Sequence, residues 1–409
     1  MPADPVAGSP VYPAGSRVNE AGHLEVGGCD VVEVAREFGT PAYIYVPDDI
    51  RARARAYVDG LAALGESPGS AEVLYASKAA PVTAIYEICR EEGLSVDVAS
   101  GGELTMALRA GFEGERIYLH GNNKGEAELR LAIEAGVGCI VIDSLDEVDR
   151  LERLLERPQR VLIRLTPGIK PSTHSYIQTG QLDSKFGFGL AQGVAAAAVE
   201  RITASPQLEL AGVHAHIGSQ IFELEPFERE VEALAGFCAD HLPDPGIVDL
   251  GGGLGIAYAG ADEPPSIAGY AGAKVAAVRR HFGSGPKLLL EPGRSLVGNA
   301  GLTVYEVGTV KEIPGVRTYA AVDGGMSDNL RPMLYGSRYE ALLANRAAEP
   351  VPDGSLVTVA GMHCESGDIL IRDAELPRPR PGDLLTTPAT VTSEPSGTAS
   401  AARFASSAS

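Results

Sequence analysis

Several residues of this chain join a reactive group to the end of an apolar run. Lys78 closes the run Leu74-Tyr75-Ala76-Ser77-Lys78. Alternation at period two puts it on the face of Leu74 and Ala76, so a strand that buries those two aims the amine inward. Desolvation there is expected to lower its pKa and suits Schiff-base chemistry. The same lysine just past the strand is an ordinary solvated side chain. Asp249-Leu250-Gly251-Gly252-Gly253-Leu254-Gly255 follows another apolar run. Consecutive glycines let backbone N–H groups approach a phosphate, although tight turns use glycine too. Glu291-Pro292-Gly293-Arg294 offers a carboxylate and a guanidinium three residues apart. That pair serves one cationic and one anionic ligand group, or forms a local ion pair.

His214-Ala215-His216-Ile217-Gly218-Ser219 admits two readings. A His-x-His pair can ligate a metal, but no other histidine looks well placed to complete a site. Stacking of His216 on a planar cofactor, with Ser219 donating to a phosphate and His214 in the core, is the favoured reading, and no metal is expected. Cys364-Glu365-Ser366-Gly367-Asp368 sets a thiol beside a carboxylate in a glycine turn, which is either a general acid or merely a turn.

These groups need elements to hold them. Eight short apolar runs, Val73–Ser77, Ser95–Ala99, Arg116–His120, Cys139–Asp143, Val161–Thr166, Leu208–His216, Gly246–Leu250 and Lys287–Glu291, alternate with segments of helical spacing. Val82, Ile85 and Cys89 mark one such segment, and Phe227, Val231 and Leu234 another. Eight strands joined through helices predict an α/β fold, a (β/α)8 barrel of the TIM type, whose reactive groups lie at the C-terminal strand ends. An open doubly wound sheet is disfavoured because no GxGxxG follows the first strand. Those strand ends carry Lys78, His120 with Asn122, Asp143, Arg164, His216, the glycine loop and Glu291 to Arg294.

After Glu291 the runs are short, broken by Gly, Pro and Asp, and predict an antiparallel β-sandwich or barrel domain. Residues 20–46 are also β-like and are expected to join it. The expected division is a barrel over 47–298, a β-domain from 1–46 and 299–390, and an aberrant, disordered tail over 391–409 rich in Ser, Ala and Thr.

The formal charge of −20 argues against nucleic acid and anionic membranes as partners. Five scattered cysteines without a CxxC read as reduced thiols rather than a disulfide or zinc framework. With no basic, apolar leader and no long apolar run, a cytoplasmic protein is expected.

Taken in order, Tyr-Ala-Ser-Lys78-Ala, His-Ala-His216-Ile-Gly-Ser-Gln, Asp-Leu-Gly-Gly-Gly253-Leu-Gly, Glu291-Pro-Gly-Arg294, Asp323-Gly-Gly-Met-Ser-Asp-Asn-Leu-Arg331-Pro-Met-Leu-Tyr335 and Cys364-Glu-Ser-Gly-Asp368 are collinear. In order and spacing they resemble the diaminopimelate decarboxylases, over roughly residues 20–390. The resemblance implies pyridoxal 5'-phosphate as cofactor and the decarboxylation of meso-2,6-diaminopimelate to L-lysine and CO2. It implies Lys78 as the Schiff-base lysine, His216 stacked on the ring and Glu291 at the ring nitrogen. Ser219, Gly252, Gly253, Gly293 and Arg294 would lie near phosphate or substrate. Arg331 and Tyr335 look like substrate-carboxylate ligands, Cys364 like the proton donor and Glu365 like a substrate-ammonium ligand. The last two are expected to reach across a homodimer interface. Ser184-Lys185-Phe186-Gly187 resembles part of a mobile loop near the mouth. Decarboxylation of ornithine, arginine or carboxynorspermidine, and a non-catalytic homologue that binds the cofactor, are the alternatives.

The chain departs from the family after Pro388-Ala389-Thr390, where Ser393 stands in place of an expected active-site tyrosine and the text becomes low in complexity. A frameshifted or truncated reading frame would explain the switch. The expected cost is an exposed sheet edge and reduced turnover and stability.

Overall fold

The computed structural model describes residues 4–169 and 184–390, together with the backbone of 402–404. The chain divides into two compact units, one of residues 51–255 and 264–295 and the other of 1–50, 256–263 and 296–409.

The first unit is a closed barrel of eight parallel strands. They are β1 (Ala71–Ala76), β2 (Ser95–Val98), β3 (Ile117–Leu119), β4 (Cys139–Ile142), β5 (Gln159–Thr166), β6 (Leu208–Ala215), β7 (Ile247–Asp249) and β8 (Lys287–Leu290). Each pairs with the next, and β8 returns to β1 with Leu288 opposite Ala71 and Leu290 opposite Val73. Parallel strands buried on both faces read as continuous apolar runs, and all four residues of β4 are buried. Leu74, Tyr118, Cys139, Val141, Leu162 and Leu289 come from five different strands and form one cluster, the filled interior of the barrel.

Helices with one apolar face make the crossovers. Glu225–His241 lies between β6 and β7, and Ile267–Phe282 between β7 and β8. Ser266 caps the second of these, accepting from the Gly269 N–H at 3.0 Å, and Arg279, Arg280 and His281 complement its C-terminal dipole.

The second unit is organised by the strand Gly301–Ile313. Its first half pairs antiparallel with Leu384–Pro388 and with Ala42–Tyr45, and its second half with Arg317–Val322. A register shift between Val307 and Thr309 lets one strand serve both halves. The sheet is not wholly antiparallel, because Arg317–Val322 runs parallel to Leu356–Ala360. The β-like stretch 20–46 also contains a helix, Val31–Phe38. Its N-cap Asp30 accepts from the Val32 N–H, and Gly39 closes its C-terminus with its N–H on Ala35 O.

Most of the expected disordered tail, with Ser393, lies outside the described residues. The backbone of Ala402–Phe404 forms a short strand parallel to Tyr43–Tyr45.

Candidate active site

The C-terminal ends of the barrel strands converge on a buried carboxylate. Glu291, just past β8, is 4% exposed. Its Oε2 lies 3.3 Å from His214 Nε2 on β6. Its Oε1 lies 2.9 Å from His120 Nε2, just past β3, in a contact not aligned as a hydrogen bond. The two imidazole rings meet edge to face, 4.9 Å apart. Burial pushes the Glu291 carboxyl up, but His120 and then His214 hold it well below the usual carboxylate range. Burial also pushes His214 down to about 3, so it meets Glu291 as a neutral donor. Asp249, at the end of β7, is pushed well above its ordinary value by burial and by Glu291. Of the two acids, Asp249 carries the proton and Glu291 the charge.

Lys78 does not end the strand, as its alternation with Leu74 and Ala76 suggests. β1 stops at Ala76, and Lys78 sits on a single 3₁₀ turn, Ser77–Ala79. The turn still brings its amine to the mouth, with Nζ 3.3 Å from Asp97 Oδ2 on β2. Its side chain is 54% exposed while Asp97 is buried, so the lysine spans water and the acidic floor. The expected drop in its pKa is not observed. Burial lowers it, but Asp97 and then Glu291 raise it further, so the amine is held as an ammonium.

His216 follows β6 and is half-buried; burial, then Lys78 and Arg164, keep it well below its usual pKa and therefore neutral. Arg294 lies just beyond the Pro292-Gly293 turn, and its Nε donates to Ser219 Oγ at 3.1 Å, joining the loops after β8 and β6. The glycine loop lies between them. A Cβ on Gly252 would fall 2.3 Å from Glu291 O, and Gly253 holds φ +114°, so the loop needs both glycines.

Ser184–Gly187 is fixed to the strand ends. Gly187 N–H donates to Asp143 Oδ1 at 2.7 Å, Thr166 Oγ1 to Phe186 O at 2.6 Å, and the Arg164 guanidinium lies 4.4 Å over the Phe186 ring. Residues 170–183, which precede this segment, are outside the described residues.

The remaining candidates belong to the second unit. Arg331 is buried at the start of the short helix Arg331–Tyr335. Its guanidinium lies 4.8 Å over Tyr258 and 5.4 Å over Tyr335, and Nε donates to Tyr339 Oη at 2.9 Å. Its Nη1 is buried with no hydrogen-bond acceptor among the described residues. Cys364 and Glu365 are exposed on a turn that Asp368 ties down, accepting from Met326 N–H at 2.7 Å and His363 N–H at 2.9 Å.

Sequence reasoning overlooked two partners. Asp97 was visible as a lone charge inside the apolar run Ser95–Ala99. His120 stood among the strand-end residues, but no histidine beyond the His-x-His pair was thought well placed. The barrel brings it beside His214, and these two with Glu291 have ligand atoms within 4.8 Å of one another, a spacing that could hold a metal ion.

The residues fit pyridoxal phosphate. Glu291 Oε1 is a buried carboxylate oxygen with no hydrogen bond of its own, suited to a ring N–H. The glycine loop and the Arg294–Ser219 pair suit a phosphate, and Lys78 supplies the amine.

Comparison with known proteins agrees. Residues 48–298 match the family described as pyridoxal-dependent decarboxylase, pyridoxal binding domain. A diaminopimelate decarboxylase of Halalkalibacterium halodurans is 48% identical over 381 residues, covering 90% of this chain and 86% of that protein. One from Mycobacterium tuberculosis is 43% identical over 403 residues, covering 93% and 88%. The crystal structure of diaminopimelate decarboxylase from M. jannaschii in complex with L-lysine superposes with a TM-score of 0.84 at 31% identity, covering 93% of this chain and 88% of that one.

Proposed function

The chain belongs to the diaminopimelate decarboxylases of the pyridoxal-dependent decarboxylase family, and we propose that it converts meso-2,6-diaminopimelate to L-lysine and CO2. The observation that carries this reading is the buried Glu291, held ionised and with no aligned hydrogen bond on its Oε1, at the barrel mouth that the Lys78 ammonium also reaches.

Pyridoxal phosphate, when bound, supplies an electron sink for the bond pair left behind by CO2. Lys78 would hold it covalently. Glu291, kept charged by His120 and His214, would keep its ring nitrogen protonated. Neutral His216 offers a face for stacking without adding a second cation. Ser219, Gly252, Gly253, Gly293 and Arg294 would hold its phosphate.

The substrate has two amino-acid ends, and recognising the distal one takes a cation for its carboxylate and an anion for its ammonium. Arg331, with Nη1 unsatisfied and its plane over aromatic rings, suits the first role together with Tyr335, and Arg294 is a further candidate cation. Glu365 suits the second. Cys364 is an exposed thiol that can donate a proton to the carbon that lost CO2. Cys364 and Glu365 act in the barrel of a second copy, so the working unit is a homodimer. No helix among the described residues is long and apolar enough to cross a membrane, and the protein works in the cytoplasm.

The test is CO2 release from meso-diaminopimelate, ornithine, arginine and carboxynorspermidine in parallel. Release from the first alone is expected, and preference for another substrate overturns the assignment.

A further inference from the structure

The glycine loop is held from behind by a buried cation that none of the roles above uses. Tyr270 and Lys274 lie one turn apart on the Ile267–Phe282 helix and so share a face. Lys274 is fully buried, with Nζ 2.5 Å from Leu250 O, 3.3 Å from Gly252 O and 3.4 Å from Gly251 O. Tyr270 donates its hydroxyl to Gly252 O at 2.9 Å. The acid facing Lys274 is Glu230 on the Glu225–His241 helix, with Oε2 no nearer than 4.0 Å and neither oxygen hydrogen-bonded. The ammonium therefore spends its donors on the loop rather than on the acid. Burying it is costly, as its pKa shows, lowered by burial to about 8. An ordinary turn needs no such group.

The consequence lies on the opposite side of the peptide planes. In a planar trans peptide the N–H of one residue points opposite to the C=O of the residue before it. The Gly251 carbonyl, held by the Glu291 N–H at 2.9 Å and by Lys274 at 3.4 Å, and the Gly252 carbonyl, held by Tyr270 and Lys274, turn the N–H groups of Gly252 and Gly253 the other way. Neither N–H has an acceptor among the described residues, whereas the Gly251 N–H is taken by Asp249 Oδ1 at 2.9 Å.

We propose that Lys274, seconded by Tyr270, is the positioning residue of the phosphate loop, holding successive carbonyls so that the Gly252 and Gly253 amides face the cofactor's phosphate. The inference rests on the pyridoxal-phosphate reading of the site. It assigns Lys274 to the phosphate end alone.

The test compares two ligands that share the aldehyde and the ring but differ in the phosphate. Wild type, Lys274→Met and Tyr270→Phe are stripped of cofactor and titrated with pyridoxal phosphate and, separately, pyridoxal, following visible absorbance. Lys274→Met is expected to raise the Kd for pyridoxal phosphate at least tenfold and to leave that for pyridoxal within twofold. Tyr270→Phe is expected to act in the same direction but less, and it decides the matter alone if the methionine variant does not fold. Unchanged affinity for pyridoxal phosphate, or an equal loss for both ligands, overturns the proposal while leaving the cofactor reading intact. A wild-type protein that takes up neither ligand overturns both.

Discussion

Gly252→Ala isolates the closeness of the glycine loop to β8. An added Cβ would lie 2.3 Å from the Glu291 carbonyl oxygen, where ordinary contact begins at 3.4 Å. The clash is with backbone, so no side chain can swing aside, and the loop and strand must part by about 1 Å, overpacking that costs about 1–3 kcal/mol. Gly252 is not among the left-handed glycines of the loop, Gly251 and Gly253, so the cost is contact rather than backbone strain. Parting them stretches the Glu291 N–H to Gly251 O bond, 2.9 Å, and displaces the Gly252 N–H. If the holoprotein bears the whole cost, affinity for pyridoxal phosphate falls by about fivefold to 150-fold, at 1.4 kcal/mol per tenfold. The assay is equilibrium titration of cofactor-free protein, with thermal unfolding in parallel. Gly272→Ala is the control, since a Cβ there meets nothing within 4 Å and alanine favours the helix by roughly 0.5–1 kcal/mol. Affinity within twofold of wild type for Gly252→Ala, at unchanged stability, would refute the packing argument.

Lys124→Met removes the cation of a buried pair, leaving Glu147, at 2.7 Å, without its partner and the carbonyls of Gly121 and Val141 without their donor. It is expected to destabilise the barrel by about 3–5 kcal/mol in urea unfolding, and a change below about 1 kcal/mol contradicts it. Glu152, which accepts two hydrogen bonds from the Arg201 guanidinium, is held down to about 2. Because its folded pKa lies below the unfolded value of 4.5, its contribution is full above pH 4.5 and is lost as pH falls toward 2. Glu152→Gln should therefore flatten the acid limb of stability against pH, and an unchanged slope refutes that. Mixed Lys78→Ala and Cys364→Ala proteins, each nearly inactive, should regain roughly a quarter of wild-type activity after subunit exchange, since half the dimers are hybrids with one intact site. No recovery despite proven exchange contradicts a shared site.

The barrel was legible because strands buried on both faces make unbroken apolar runs, and every barrel strand lies within a residue or two of its run. Glu291 and Arg294 stood out as candidate site residues for the same reason, lying where β8 ends. What depends on register across strands was not. Lys78 keeps its proton because parallel pairing sets Ala76 opposite Asp97, a neighbour twenty-odd residues on in the chain. His120 meets His214 only when β3 and β6 face each other across a closed barrel. The helix Val31–Phe38 was hidden by Val31, Val32 and Val34, β-branched residues that favour strands, while the Asp30 cap and Gly39 terminate it as a helix. Lys274 and Glu230 carry no motif that singles them out in the sequence, and only the packing of their helices buries them.

The central claim is that Lys78 holds pyridoxal phosphate covalently, and borohydride reduction of the cofactor-loaded protein tests it most directly. Peptide mass mapping should find the reduced cofactor on Lys78 alone, with the visible band lost on reduction and no adduct in Lys78→Ala. An adduct on another lysine, such as Lys124, Lys185 or Lys274, or none with the visible band still present, would contradict the account.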